Sequence, residues 1–393
     1  MIKALTVSTS EIDDVEAAVA DITGQLEAGI GLMKNSIGLI SCYYDFIESG
    51  VVAALSEALP FEVVGTTTVG TAAVTTDELV DLVLLVLTSD DVSFVTGLTD
   101  PIPSEDASVI ERGYAATVEK AGETEKPALM LTYAPLLMNV GGDFFVDSLS
   151  KASGNVPLFG TVSVDDTMDF HNSHVIFGGD AYKDKLALVL MYGNVSPKFY
   201  LASISKDKIF REKGVVTSSE GNQLKTINDI SVQDYLMSLG LTKGADGTIV
   251  GVNSYPFVVD YGDGTMPVVR IMFAITPEGY AVCGGDIPEG ATLSVGSIDD
   301  DEVVKATGEK LLEITADGTP DALLIFSCTG RYFVLGYDDG REAAVVRDML
   351  GAKNLPFSMI YSGGEICPTY AIEGAESMTN RFHNDTFAVC AFY

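Results

Sequence analysis

Residues 355–368 read LPFSMIYSGGEICP, an apolar run of strand length that follows a proline-containing turn and ends in two glycines and a glutamate. The same order of features occurs twice earlier in the chain, as PFEVVGTTTVG at 60–70 and NVPLFGTVSVDD at 155–166. A short apolar strand placed after a helix and a proline is typical of a β-α-β crossover. The stretch therefore predicts one copy of a repeated α/β unit.

Each copy contains the same flanking elements. The first strands read GLISCYY, ALMLTYAP and ALLIFSCTGR, the helical segments VVAALSEAL, FFVDSLSKA and EAAVVRDML, and the closing strands LVDLVLLVLT, DKLALVLMYG and DTFAVCAFY. Pro60, Pro157 and Pro356 precede the second strands, and Gly65, Gly160 and Gly363 follow them. A chance resemblance of short apolar runs is the alternative. We predict an α/β fold of two packed domains with mixed sheets, built from repeated β-α-β-β units.

Between the second and third copies the pattern changes. Residues 215–298 read mostly as short strands separated by Gly and Pro turns, with one helix at 231–239. The segment SPKFYLASISKDK, at about 196–208, is the best candidate for a domain boundary. We therefore divide the chain into domains at 1–197 and 198–393.

The composition excludes several classes of partner. The 393 residues carry a net charge of −33, and this field repels nucleic acids and anionic membrane surfaces. Five scattered cysteines without a CxxC pair indicate reduced thiols, and the N-terminus turns polar too early for a signal peptide. No apolar run reaches the ~18 residues of a membrane span. We expect a soluble, cytoplasmic protein that binds neither nucleic acid nor membrane.

Candidate binding residues follow the two parallel strands of the third copy. Ligands of open α/β sheets bind beyond the carboxyl ends of the strands. The first strand ends in Ser327, Cys328, Thr329, Gly330 and Arg331, and the second ends in Ser362, Gly363, Gly364 and Glu365. The glycines allow a close backbone approach, and the hydroxyl and amide groups supply hydrogen bonds.

Arg331 and Glu365 carry the only charges in this set. A guanidinium suits a carboxylate and Glu365 suits an ammonium group, so together they would hold a zwitterion such as an amino acid across a hydrated cleft. The alternative is a structural salt bridge that closes a turn. The sequence alone does not choose between the two.

Catalytic and metal-binding chemistry has weaker support. Cys328 would be a nucleophile if Arg331 and nearby amides lowered the pKa of its thiol, but a cysteine after an apolar strand is most often a core residue. His171 and His174 lie in an acidic loop without a nearby cysteine, and His383 precedes the last strand as a turn residue. We assign no catalytic residue and no metal site.

The motifs resemble those of the FIST family. The N-terminal half matches it in EVVGTTTVG, VPLFGTVSVDD and HVIFGGDAYKDKLALVLMYG, and the C-terminal half in FSCTGR, FSMIYSGGEICP and RFHNDTFAVCAF. The resemblance identifies 1–197 as a FIST N-like domain and 198–393 as a FIST C-like domain. FSCTGR and GGEICP, in that order and separation, are its most specific motifs.

The resemblance implies an intracellular sensory module for signal transduction. Its proposed ligands are amino acids or related small carboxylates, and family members are often joined to kinase, cyclase or chemoreceptor parts. This chain would then signal through a partner protein in trans, such as a kinase or chemoreceptor. Some relatives bind haem and sense nitric oxide, so a haem gas sensor using one of the histidines is an alternative, as is an enzyme with Cys328 as nucleophile. We expect no cofactor.

Overall fold

The computed structural model describes residues 2–76, 78–167, 169–245, 248–336, 340–370 and 378–393. Within them the chain folds as three copies of one α/β unit, and a mainly antiparallel sheet is inserted into the third copy. The mixed sheets and repeated units that the sequence predicts are confirmed. The boundary between 197 and 198 stays a prediction.

The first two units are consecutive in the chain. The first unit consists of β1 (Lys3–Thr9), α1 (Val15–Gly29), β2 (Asn35–Cys42), α2 (Asp45–Glu48), α3 (Val51–Ala58), β3 (Glu62–Thr67), β4 (Thr71–Ala73) and β5 (Leu82–Ser89). The second unit consists of β6 (Ser93–Leu98), α4 (Ala107–Ala121), β7 (Leu129–Ala134), α5 (Gly142–Ser153), β8 (Leu158–Val162), β9 (Val175–Phe177), β10 (Asp180–Tyr182) and β11 (Ala187–Tyr192).

The third unit starts with β12 (Pro197–Ala202) and resumes after the insertion. The insertion consists of β13 (Gly214–Glu220), β14 (Gln223–Ile227), β15 (Ile230–Ser231), α6 (Val232–Ser238), β16 (Phe257–Asp260), β17 (Val268–Arg270), β18 (Met272–Ile275), β19 (Ala281–Cys283) and β20 (Thr292–Val295). The unit continues with α7 (Asp300–Ala316), β21 (Ala322–Cys328), α8 (Thr329–Val334), α9 (Arg341–Gly351), β22 (Phe357–Ser362), β23 (Glu365–Tyr370), β24 (Met378–His383) and β25 (Phe387–Phe392). Short 3-10 turns lie at Lys206–Lys208 and Val252–Ser254.

Each unit pairs its strands in the same way. The two strands around the central helices are parallel, as β2 with β3, β7 with β8, and β21 with β22. The last strand of each unit (β5, β11 or β25) lies between the unit's N-terminal strand (β1, β6 or β12) and the first strand of the parallel pair, and it is antiparallel to both. The strand orders are therefore β1-β5-β2-β3, β6-β11-β7-β8 and β12-β25-β21-β22. The buried strands alternate little between apolar and polar residues because helices or other sheets cover both faces.

The units interlock in a ring. The free edge of each second strand pairs with a strand of the next unit: β3 with β9, β8 with β23, and β22 with β4. Strands from the N-terminal and C-terminal halves therefore share sheets. The three sheets pack against one another through a common core that includes Leu131, Phe159 and Phe326. Hydrogen bonds from the hydroxyls of Thr66 and Thr68 connect the carboxyl ends of the three parallel pairs.

The three glycines that the sequence aligns do not occupy equivalent positions in their strands. Gly65 lies opposite Ile40 and Gly160 lies opposite Thr132, inside β3 and β8. In the third unit this register position holds Ile360. Gly363 follows β22 instead, so the predicted equivalence of Gly363 with the other two glycines is wrong. Gly363 allows the chain after β22 to lie close to the backbone of β8, because a Cβ there would lie 3.1 Å from the carbonyl oxygen of Val162.

Candidate functional site

A cavity of about 970 Å³ lies where the carboxyl ends of β21 and β22 meet loops of the second unit and the inserted sheet. The strand ends contribute Cys328 to Gly330 with Ser362 and Gly363, and the second unit contributes Leu136, Met138, Val164, Asp169 and Phe170. The inserted sheet contributes residues 248–249 and 251–254 around a 3-10 turn, together with Ile271 and residues 273–275 of β18. The lining is mainly apolar, which is usual for a small-molecule site.

The structure divides the nine predicted site residues into two groups. Five line the cavity, namely Cys328, Thr329, Gly330, Ser362 and Gly363. The other four, Ser327, Arg331, Gly364 and Glu365, lie outside the lining, and the two charged ones are wholly buried. The Thr329 hydroxyl donates a 2.8 Å hydrogen bond to the Ser362 carbonyl and so joins the two strand ends. A ligand role for the nine residues stays a prediction.

Arg331 does not face the cavity and does not pair with Glu365. Its Nη2 lies 2.6 Å from Oε1 of Glu342, at the start of α9, and both side chains are wholly buried. The same nitrogen donates to the Val303 carbonyl and to the Thr307 hydroxyl. The expected guanidinium–carboxylate clamp across a hydrated cleft is therefore wrong, because Glu342 neutralises Arg331 beneath the surface.

Glu365 is buried between two hydroxyl donors. Ser362 Oγ donates to its Oε1 at 2.7 Å, and Thr386 Oγ1 donates to its Oε2 at 2.6 Å. Burial raises the pKa of Glu365 to about 8, although the two hydroxyl hydrogen bonds oppose that rise. Glu365 thus connects the lining residue Ser362 to the interior.

Two further polar residues lie beside this strand end, one in the cavity lining and one outside it. Asn384 lines the cavity, and Asp385 lies directly below Gly330, where a Cβ would come within 2.2 Å of Asp385 Oδ1. Asp385 is wholly buried, and neither of its carboxyl oxygens has a hydrogen-bond partner. Burial raises the pKa of Asp385 to about 7, with the Arg331 charge acting in the opposite direction. Neither residue stands out in the sequence, because HNDT at 383–386 resembles an ordinary turn.

The Cys328 thiol is poorly suited to nucleophilic attack. Burial raises its pKa well above the ordinary value, and the nearby Glu365 and Asp385 carboxyls raise it further. The amides of Gly330 and Asp385 donate to the sulfur but do not reverse the shift. A thiol in this environment stays protonated, and only the thiolate is a good nucleophile.

The corresponding strand ends of the other units form internal contacts. Thr66 Oγ1 donates to Ser163 Oγ at 2.8 Å, and Ser163 Oγ donates to the Ala134 carbonyl. Thr68 Oγ1 donates to the Tyr361 carbonyl at 2.6 Å and so ties the first unit to the third. These hydroxyls bond to one another and to backbone carbonyl groups at the centre of the ring.

None of the three histidines is among the lining residues of the cavity. His171 Nδ1 is 2.7 Å from the Asp169 carboxylate, and the His174 ring stacks on Tyr44 at 5.0 Å. His383 is buried with its Nε2 3.0 Å from the Cys367 carbonyl, and burial lowers its pKa to about 3. Within the described residues, no three His, Cys, Asp or Glu side chains group as metal ligands. No helix in the described ranges combines the length and the apolar content needed to span a bilayer.

Two solved structures have a weak likeness to this chain. A crystal structure of cyanuric acid hydrolase from A. caulinodans is 10% identical, with a TM-score of 0.35, and covers 100% of this chain and 99% of its own. T. maritima PurL complexed with FGAR is 9% identical, with a TM-score of 0.20, and covers 100% of this chain and 72% of its own. Similarities at these TM-scores support no conclusion about this protein. No curated protein matches the chain.

Family models give a clear result. The FIST N domain matches residues 36–230, and the FIST C domain matches residues 232–368. The two matches lie next to each other and together span most of the chain, including both strand ends that line the cavity. This protein therefore belongs to the FIST family, whose domains are small-ligand sensors of signal-transduction proteins.

Proposed function

We propose that this protein is a signal-transduction sensor whose small ligand binds in the cavity between the strand ends of the third unit and the inserted sheet. The observation that carries the proposal is the cavity of about 970 Å³ lined by Cys328, Thr329, Gly330, Ser362 and Gly363. A volume of this size suits a small organic molecule, and the apolar lining with few polar groups suits selective binding. The family resemblance suggests an amino acid or a related small carboxylate as the ligand.

Signal output passes to a partner protein such as a kinase or a chemoreceptor. Exposed apolar side chains near the cavity mouth support this proposal. Met138 is 96% exposed and Phe273 is 60% exposed, and both line the cavity; Val250, beside the lining residues 248–249, is 57% exposed. A ligand that contacts these side chains would change the surface presented to a partner. The five free cysteines agree with a cytoplasmic site of action.

Binding without catalysis is the better explanation of the site. The protonated Cys328 thiol argues against the alternative of a cysteine nucleophile. No histidine is present among the described lining residues, so a haem held by a histidine has no axial ligand at this cavity. The proposal therefore includes neither a catalytic residue nor a cofactor.

A cavity-blocking variant tests the proposal. The panel contains amino acids, small carboxylates and small amines, and each compound is scored by the rise in melting temperature of the protein. Ala274 is exposed on β18 and lines the cavity, so Ala274→Trp fills part of it without disturbing the core. Val215→Trp is the matched control, because Val215 is an exposed strand position of the same inserted sheet outside the lining.

We expect at least one compound to stabilise the wild type and the Val215→Trp variant but not the Ala274→Trp variant. Equal stabilisation of all three proteins would place the ligand elsewhere and contradict the proposal. Conversion of a bound compound, lost in Cys328→Ser, would favour the enzyme alternative. A Soret band in the purified protein would favour the haem alternative.

A further inference from the structure

Three phenylalanines line the large cavity, and each comes from a different part of the fold. Phe170 lies in the loop between β8 and β9 of the second unit, Phe333 in α8 of the third unit, and Phe273 in β18 of the inserted sheet. The rings of Phe170 and Phe333 are nearly parallel, with an interplanar angle of 18° and 6.3 Å between their centroids. Both side chains are only partly buried, so the pair gives the cavity an aromatic surface that joins the second and third units.

The backbone of Phe170 is held in an unfavourable conformation. Its φ is 54°, in the left-handed region that bulky side chains rarely adopt. The buried Asp165 carboxylate fixes the loop around it by accepting hydrogen bonds from the Thr167 amide at 2.6 Å and from the Ser173 hydroxyl at 2.9 Å. The Ser173 amide in turn donates to the Phe170 carbonyl at 3.2 Å. The loop therefore maintains the strain and fixes the ring in the cavity wall, and strained residues of this kind cluster at ligand-binding sites.

The side chains of the lining offer no positive charge to a bound anion. Its described residues include no lysine, arginine or histidine, and the charged side chain among them is the carboxylate of Asp169. That carboxylate is exposed and lies 2.7 Å from His171 Nδ1. An anion that entered the cavity would lose its hydration without gaining a counter-charge, which costs free energy.

The strand ends that line the cavity direct their hydrogen-bond donors inward. The Thr329 hydroxyl donates to the Ser362 carbonyl at 2.8 Å, and the Ser362 hydroxyl donates to Glu365 Oε1 at 2.7 Å. The Gly363 amide donates to the Val162 carbonyl at 2.9 Å. These three donors are therefore used within the protein and do not form a cradle for a carboxylate.

We infer that the ligand of this cavity carries an uncharged aromatic ring that stacks on Phe170 and Phe333, and that a free carboxylate is excluded from the cavity. This inference rests on the proposed function and deepens it, because it names the chemical class of the ligand. It departs from the small carboxylates that the family resemblance suggests. A neutral polar substituent, such as an amide or a hydroxyl, suits the uncharged polar side chains of Asn253 and Ser254 in the same lining.

Matched compounds test the inference directly. One set contains 3-phenylpropanamide, 3-phenylpropanoate and 3-cyclohexylpropanamide, and a second set contains the corresponding naphthyl and decahydronaphthyl compounds. Binding to the full chain is measured by isothermal titration calorimetry, and Ala274→Trp shows whether a compound binds in this cavity. The variants Phe170→Leu and Phe333→Leu each remove one ring and keep an apolar side chain. Phe210→Leu is the matched control, because Phe210 is a partly buried ring paired with Tyr255 at 6.3 Å and lies outside the lining.

We expect the aromatic amide of at least one set to bind about tenfold or more tightly than its carboxylate, and about threefold or more tightly than its saturated analogue. The hydrophobic effect alone would not favour the aromatic ring, since the saturated ring is the more apolar one. The aromatic preference should disappear in Phe170→Leu and Phe333→Leu and persist in Phe210→Leu. A preference for the carboxylate, or an unchanged aromatic preference in both cavity variants, would overturn the inference. If other compounds bind in the cavity but no aromatic amide does, the inference fails while the proposed function stands. If no compound binds, both fail.

Discussion

Arg331 and Glu342 form an ion pair in which neither side chain is exposed to solvent, with 2.6 Å between Arg331 Nη2 and Glu342 Oε1. Glu342 also accepts hydrogen bonds from the hydroxyls of Ser327 and Thr307. The pair therefore joins the end of β21 to the start of α9 and to α7. This buried ion pair stabilises the end of β21 that lines the cavity.

Loss of Arg331 should destabilise the fold. Arg331→Ala leaves the Glu342 carboxylate buried without its counter-charge, which costs about 3–5 kcal/mol in comparable buried pairs. Arg341→Ala is the control, because Arg341 pairs with Asp300 at the surface and such pairs contribute about 1 kcal/mol or less. The measurement is urea unfolding of each variant. A wild-type free energy of unfolding for Arg331→Ala, together with lost ligand stabilisation, would restore a direct ligand role for Arg331.

A methyl group at Gly65 should disrupt the first unit. A Cβ there would lie 1.7 Å from the Ile40 carbonyl oxygen in the neighbouring strand, and backbone atoms inside a sheet have little room to move. We expect Gly65→Ala to lower the free energy of unfolding by about 3 kcal/mol or more. Gly24→Ala is the matched control, because no atom lies within 4 Å of its Cβ position in α1.

The control should raise helix stability by up to about 1 kcal/mol, since alanine is the better helix former. Chemical denaturation of the two variants side by side gives the comparison. Equal effects of the two substitutions would contradict the strand register of β2 and β3.

The free energy of unfolding should decrease as the pH rises from the ordinary pKa of a glutamate to the raised pKa of Glu365. The ordinary pKa of a glutamate is 4.5, and burial raises that of Glu365 to about 8. The native state therefore binds more protons than the unfolded state between these values, so the free energy of unfolding decreases from about pH 4.5 to about pH 8 and then levels off. Glu365→Gln removes this titration and keeps a side chain that can hydrogen-bond Ser362 and Thr386.

Melting temperatures of wild type and Glu365→Gln across that pH range test the prediction. The decline with pH should be smaller in the variant, and the remaining slope should include the contribution of Asp385. Parallel curves for the two proteins would show that Glu365 titrates normally, in conflict with its burial.

Native Cys328 should resist alkylation. It lines the cavity, but burial and the adjacent carboxyls keep its thiol protonated. Iodoacetamide at about pH 8 should leave all five cysteines unmodified in the native protein and label them in urea, because alkylation requires the thiolate. Mass spectrometry of the intact protein and its peptides provides the count. Rapid, selective labelling of Cys328 would support the enzyme alternative.

The repeated units could be predicted from the sequence because local signals define them. Pro60, Pro157 and Pro356 do precede the second strand of each parallel pair, as the apolar runs around them indicate. The ring that joins the units could not be predicted in this way. Pairing of β4 with β22 links residues 71–73 to residues 358–360, and no local pattern encodes a contact at that separation.

Five of the nine candidate residues line a cavity, and the two charged ones do not. The ends of β21 and β22 do meet at a cavity, because the carboxyl ends of parallel strands share one edge of the sheet. The partner of Arg331 is Glu342, which the sequence places in an amphipathic helix after a long polar segment. Asp385 has a φ of 51°, a left-handed conformation that Asp and Asn tolerate better than most residues. That tolerance explains why a buried acceptor has the sequence appearance of a surface turn.

Hydrogen exchange with and without a stabilising compound tests most directly whether the ligand binds in the large cavity. The account predicts slower exchange at residues 136–140, 248–254 and 329–334, the segments that contain lining residues of that cavity. Residues 198–203 line a separate cavity of about 430 Å³ and should exchange at an unchanged rate. Protection confined to residues 198–203, with no change around the large cavity, would contradict the account.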